Sequence, residues 1–261
     1  MAIRFGEKPG LVLYLTCGDP SPETTRDTAL AAIGAGADVI ELGVPFSDPV
    51  ADGPIIQRSS ERALKNGTGV GDVLRIAKEI RKYSDAGLVV FSYLNPLLRY
   101  GLDVFSKDAV DAGVDGVLVT DLPVEEAEEY LPRMHAHGLA TVFLAAPTST
   151  DERLKKISKV CDGFIYAVSR MGVTGTQKNV SIDAEGLVKR IRKFTKLPVA
   201  VGFGVSTPEQ LTQVGRFADA VVIGSAVMEL VERNPAKAPD VVGQFVRKLL
   251  ANRRATYGRE L

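Results

Sequence analysis

A single (β/α)8 barrel is the fold class this sequence predicts, and three observations predict it. Eight short apolar runs alternate with longer amphipathic segments. The alternation persists along all 261 residues, and no linker, low-complexity run or change of composition interrupts it. The rival is a doubly wound open sheet. In its dinucleotide-binding form it carries G-x-G-x-x-G after the first strand, whereas the first run here leads into Thr16-Cys17-Gly18-Asp19-Pro20.

The apolar runs lie at 11–17, 38–44, 87–94, 116–122, 140–146, 163–169, 199–203 and 220–224. They read as parallel strands, because a strand covered on both faces is continuously apolar. After the first run, Ser21-Pro22-Glu23-Thr24 has the order of a helix start: a capping hydroxyl, a proline and an acid. Thr207-Pro208-Glu209-Gln210 repeats that order late in the chain, and 183–194 and 240–252 read as further helices. Gly36, Gly113 and Gly138 stand where helices stop. The first strand begins so early that only a shortened segment precedes it.

Composition excludes several function classes. Hydrophobic residues make up 45% and charged residues 25%, enough to build a core. Lys+Arg and Asp+Glu both number 32, so the net charge is zero and nothing points to nucleic acid or a membrane surface. No apolar stretch approaches the roughly 18–20 residues of a bilayer span. Cys17 and Cys161 lie far apart without metal-ligand spacing, so a reducing cytoplasm, no disulfide and no metal are the expectations. They read as small buried residues, and His135 and His137 as surface residues at a helix end.

In a barrel the active site lies at the C-terminal ends of the strands. There the richest segment runs from Val39 to Pro54. Glu41 interrupts an apolar strand. Either it pairs with a buried Arg or Lys or hydrogen-bonds to neighbouring strands, or it is an unpaired carboxyl whose pKa rises until it can exchange protons near neutrality. Asp48 and Asp52 follow in a loop held by Pro45, Pro49 and Pro54, where Gly53 is expected to supply a conformation closed to other residues. Loop aspartates are often turn formers; the density of constraint sets these two apart.

Three glycine clusters follow the late strands: Gly172 to Gly175, Gly202 with Gly204, and Gly224-Ser225. The last two correspond to the place where barrels hold a phosphate on backbone N–H groups and a helix N-terminus. Turns that need positive φ are the alternative. The 172–175 loop reads as a lid or a plain mobile loop. Tyr166, inside the sixth strand, points either into the barrel mouth or into core.

The segment Glu41-Leu42-Gly43-Val44-Pro45-Phe46-Ser47-Asp48-Pro49, continued by Ala51-Asp52-Gly53-Pro54, closely resembles the signature of the tryptophan synthase α subunit family. Further resemblance lies at Thr16-Cys17-Gly18-Asp19-Pro20, Tyr93-Leu94-Asn95-Pro96 with Tyr100-Gly101, Asp121-Leu122-Pro123, Ser169 through Gly175, Gly202-Phe203-Gly204 and Gly224-Ser225. The resemblance implies a (β/α)8 barrel that cleaves indole-3-glycerol phosphate to indole and glyceraldehyde 3-phosphate. It implies Glu41 as the catalytic acid/base, Asp52 as the acceptor of the indole N–H, and Tyr166 as an active-site tyrosine. Gly175, Gly204, Gly224 and Ser225 fall at phosphate-binding positions, and Thr174 in the mobile loop. It also implies a β subunit partner in an α2β2 assembly, facing Pro45, Asp48 and Asn95. No cofactor is expected on this chain; pyridoxal phosphate belongs to the partner. A free-standing lyase, a subunit kept only to activate its partner, and a different phosphate-binding barrel are the competing readings. The family commonly has a helix under the barrel before its first strand, so the short N-terminus leaves the bottom plug in question.

Overall fold

The computed structural model describes residues 3–168, 177–202 and 204–251, with the side chains of 177–182 outside the description. Its sheet contains nine strands: β1 Gly10–Thr16, β2 Val39–Gly43, β3 Gly87–Ser92, β4 Gly116–Val119, β5 Ala140–Val142, β6 Leu144–Ala145, β7 Ile165–Val168, β8 Val199–Gly202 and β9 Ala220–Ile223. They are ordered β5-β4-β3-β2-β1-β9-β8-β7-β6, and every pairing is parallel. The two ends of that order, β5 and β6, are separated in the chain only by Phe143. They are the single predicted strand at 140–146, interrupted, and through them the sheet curls into a barrel. The predicted sixth, seventh and eighth strands are therefore β7, β8 and β9.

Strand alternation sorts the two cores. Val12, Val39, Val89, Leu118, Val142, Phe164, Ala200 and Ala220 point inward and pack together inside the barrel. Their neighbours Leu11, Leu13, Ile40, Leu42, Leu88 and Val90 point outward against the helices. Burial on both faces is why the strands read as unbroken apolar runs.

The predicted helix starts are present. Ser21 Oγ accepts from Thr24 N at 3.1 Å and opens the helix Pro22–Gly34. Thr207 Oγ1 accepts from Gln210 N while Gln210 Oε1 accepts from Thr207 N, a reciprocal cap on Pro208–Gly215. Gly36, Gly113 and Gly138 have positive φ after their helices. The helix predicted from 183 starts earlier, at Gln177, and the third predicted strand ends at Ser92, with Tyr93 as the N-cap of the short helix Leu94–Tyr100. No described helix is long and apolar enough to cross a membrane.

The floor of the barrel is filled, although residues 3–9 contain no helix. Ile3 is only 8% exposed and joins the inner core. Phe5 stacks edge-on against Phe164, with ring centroids 5.9 Å apart. The room for Ile3 comes from two glycines. A Cβ at Gly163 would stand 2.9 Å from Ile3 Cδ1, and one at Gly116 would stand 3.2 Å from it. Ile3 and Phe5 thus fill the bottom of the barrel. Ile3→Ala is expected to lower unfolding free energy by about 2–4 kcal/mol in guanidinium titration, because the cavity left behind has rigid strands around it.

Candidate active site

Glu41 reaches the barrel mouth by strand alternation. Val39 points into the inner core and Glu41, two residues on, points the same way one layer higher. It sits in register between Tyr14 on β1 and Val89 on β3. It is fully buried, and neither carboxylate oxygen has a hydrogen-bond partner among the described residues. Of the two readings open from the sequence, neither the buried cation nor the hydrogen bond of the first is found among those residues. Burial pushes the Glu41 carboxyl up to about 8.

Asp52 follows on the loop after β2. Its backbone is tied by Asp52 N to Pro49 O at 3.0 Å and by Gln57 Nε2 donating to Asp52 O at 2.9 Å. Tyr93 Oη donates to Asp52 Oδ2 at 3.0 Å. Burial raises Asp52 to about 6, and the Tyr93 bond works against that rise. Gly53 differs from expectation. Its φ of −75° is open to any residue, and an added Cβ would meet open space, so the loop does not depend on glycine there.

Glycine is required instead at Gly43, where an added Cβ would collide with the Tyr14 hydroxyl. Tyr14 Oη accepts from Thr16 Oγ1 at 3.3 Å, and its ring packs edge-on against Phe91 with centroids 5.0 Å apart. Gly43→Ala is expected to lower stability by roughly 1–3 kcal/mol through overpacking. It should also reduce turnover, because Tyr14 must leave its place beside Glu41. Chemical denaturation and a steady-state assay of the same variant check both.

Tyr166 on β7 points into the mouth, which settles its two readings. Burial, then the nearby Glu41 and Asp52 carboxyls, hold both its phenol and that of Tyr14 well above the usual range, so each remains a protonated donor.

These groups share one cavity of about 1050 Å³ with Phe91, Thr120, Leu144 and Ile56 along its sides. Gly204, with φ +64°, and Gly224 and Ser225 line the same cavity. Gly224 caps the helix Ser225–Arg233, whose first intrahelical bonds are Val227 N and Met228 N to Gly224 O. The earlier amides of that turn have no intrahelical acceptor and carry the positive end of the helix dipole. No lysine or arginine among the described residues lines the cavity. Thr174 and Gly175 lie outside the described residues.

Of the three residues expected at a partner surface, Asp48 and Asn95 are exposed, whereas Pro45 is buried within this chain. Nearby, Val50 is 87% and Leu98 51% exposed. Cys17 and Cys161 are buried free thiols, the latter pushed up to about 12 by burial. Among the described residues no His/Cys/Asp/Glu group is arranged to hold a metal ion. Sequence reasoning assigned no role to Tyr14 or Tyr93. Tyr14 was accessible to it, because it follows inward-facing Val12 by two residues in a strand. Tyr93 was not, because its bond to Asp52 spans 41 positions.

The family model for the tryptophan synthase alpha chain matches residues 2–255. The tryptophan synthase alpha chain of Solibacter usitatus is 52% identical over 236 residues, covering 90% of this chain and 88% of that protein. That of Methylibium petroleiphilum is 46% identical over 242 residues, covering 92% and 89%. Among solved structures, the tryptophan synthase A-subunit of Pyrococcus furiosus superimposes with a TM-score of 0.86 at 41% identity, covering 94% of this chain and 99% of that one. The alpha subunit from Legionella pneumophila gives 0.85 at 36% identity, covering 95% and 92%. With a family match over nearly the whole chain and a shared barrel, this chain belongs to the tryptophan synthase alpha chain family.

Proposed function

We propose that this protein cleaves indole-3-glycerol phosphate to indole and glyceraldehyde 3-phosphate, acting as a lyase and as the α subunit beside a β subunit. One observation carries the reading: two carboxyl groups line a single cavity, and burial raises one further than the other, so that at pH 7 one is mainly neutral and the other mainly anionic. Glu41, near 8, is mostly protonated; Asp52, near 6, is mostly ionised. Such a split assigns an acid and an electrostatic stabiliser to one site.

The chemistry follows from that split. Glu41 gives its proton to the indole ring carbon that bears the glycerol chain, and the ring becomes cationic. The Asp52 carboxylate accepts the indole N–H and stabilises that charge. Glu41, now a carboxylate in an apolar setting, is a stronger base than an exposed one and takes the proton of the adjacent hydroxyl. The carbon–carbon bond breaks, its electron pair restores the aromatic ring, and the hydroxyl carbon becomes the aldehyde. Glu41 ends protonated, as it began, so the cycle requires neither metal nor organic cofactor.

The phosphate is taken by Gly204, Gly224 and Ser225, together with Gly175. Support comes from the helix start at Ser225, whose free amides and dipole favour an anion. That grip positions the reacting bond from a distance. Asp48 and Asn95, with exposed Val50 and Leu98 beside them, form the face offered to the β subunit in an α2β2 assembly. Pyridoxal phosphate is then carried by the β subunit alone, and the site of action is the cytoplasm.

The test is indole release from indole-3-glycerol phosphate by the purified chain, repeated with a β subunit added. Slow release that rises sharply with the partner is expected. Fast release indifferent to the partner would make the chain a free-standing lyase, and no release under either condition would overturn the reaction assigned.

A further inference from the structure

Asp52 must be ionised to accept an indole N–H, yet its burial opposes ionisation. No lysine or arginine among the described residues lines its cavity to offset that. The ionisable groups that line the cavity with it, Glu41 on β2, Tyr14 on β1, Tyr166 on β7, Asp183 on the helix Gln177–Ile191 and Glu229 on the helix Ser225–Arg233, are all acids, and an ionised Glu41 would raise Asp52 further. Tyr93, just beyond β3, meets it differently, and Asp121, just beyond β4, faces Tyr93 in turn.

The Tyr93 hydroxyl is used in both directions. It donates to Asp52 Oδ2 at 3.0 Å and accepts from Ala51 N at 2.9 Å. One phenol thus grips two consecutive residues of the loop, the carboxylate of one and the backbone of the other. The ring itself is fixed. Tyr93 is 3% exposed and packs against Phe46, from the start of the same loop, with centroids 5.1 Å apart. Leu94 N, the next amide, donates to Asp121 Oδ1 at 2.7 Å, which anchors the backbone behind the phenol.

We infer that Tyr93 is a positioning residue for the lyase reaction, holding the 46–52 loop inward and keeping the Asp52 carboxylate ionised by donating a hydrogen bond to it. The assignment rests on the reaction proposed above, but its first readout does not. A hydrogen bond to the charged form is a way to lower a carboxyl pKa without a cation. Burial and the Tyr93 bond already pull Asp52 in opposite directions. A phenol held far above its usual range donates through a proton it does not lose.

Tyr93→Phe removes one oxygen and keeps the ring on Phe46. Titrate aspartate-labelled wild type and variant by 13C NMR, identifying the Asp52 resonance by its absence in Asp52→Asn. The Asp52 pKa should move up by about one pH unit in the variant. In the indole-release assay, the acid limb of kcat/KM should move up by the same amount. Loss of rate should then be about fivefold at pH 6, approach tenfold below about pH 5, and fade as the pH rises past the new value. An Asp52 pKa unchanged in Tyr93→Phe would overturn the inference, as would a rate loss equal at every pH, which would make Tyr93 a packing residue. Should Tyr93→Phe not fold, 3-fluorotyrosine at position 93 gives the opposite readout: the more acidic phenol donates more strongly and should move Asp52 down. Absence of indole release in wild type would sink the reaction alone, since the NMR shift is read without substrate.

Discussion

Glu41→Gln should remove indole release almost completely, by about 10³-fold or more, while leaving the barrel folded. Glutamine keeps the size of the side chain but neither donates to a ring carbon nor takes back a hydroxyl proton. Turnover within tenfold of wild type would exclude Glu41 as the acid/base. The same variant should have a second signature, in stability. In wild type the folded pKa, about 8, lies above the ordinary value of 4.5. The folded protein therefore binds more protons than the unfolded chain between those limits, so stability falls as pH rises. The contribution is fully present below 4.5 and lost as the pH passes through about 8. The span corresponds to at most about 5 kcal/mol, at 1.36 kcal/mol per pH unit. Glu41→Gln lacks this dependence. Guanidinium titrations at pH 5 and pH 9 should find it gaining on wild type as the pH rises. A constant difference would mean that the buried carboxyl does not titrate in that range.

Asp52→Asn should lower turnover by about 10²–10³-fold, because a neutral amide cannot stabilise the cationic ring as a carboxylate does. It should leave phosphate binding intact, since Gly204, Gly224 and Ser225 come from β8 and β9 and the loops beyond them. Inhibition by glycerol phosphate measures this independently of turnover. The pH profile adds a sharper distinction. Wild-type kcat/KM should be bell-shaped, with an acid limb near 6 from Asp52 and a basic limb near 8 from Glu41. In Asp52→Asn the acid limb should vanish and the basic limb remain. Retention of both limbs would remove Asp52 from the mechanism even if turnover fell.

Local signals in the chain carried much of this. Strand positions followed from burial on both faces, and the caps at Ser21 and Thr207 from side chains that bond within three residues. Where expectation and structure part, the missing information is non-local. The strand at 140–146 breaks at Phe143, although its apolar run does not announce a break. Gly53 has a backbone open to any residue, whereas the glycine the site depends on is Gly43. Its need arises from Tyr14 in the neighbouring strand. The floor of the barrel is sealed by Ile3, which lies against Gly116 and Gly163, and by Phe5, which packs on Phe164, all more than a hundred positions away. Pro45 is buried, although Ser47 and Asp48 of the same motif are exposed.

The sequence alone therefore determined the eightfold alternation, the capped helices, the candidate carboxylates and the family motif that joins them. All of these are properties of residue type and short spacing. Only the tertiary structure decided their chemistry. That Glu41 meets no described cation, that Asp52 is half-buried yet bonded by Tyr93, and that Tyr166 faces the mouth all depend on which strands lie side by side. A carboxyl's proton affinity is set by its solvation and its neighbours, and those are assembled from residues far apart along the chain.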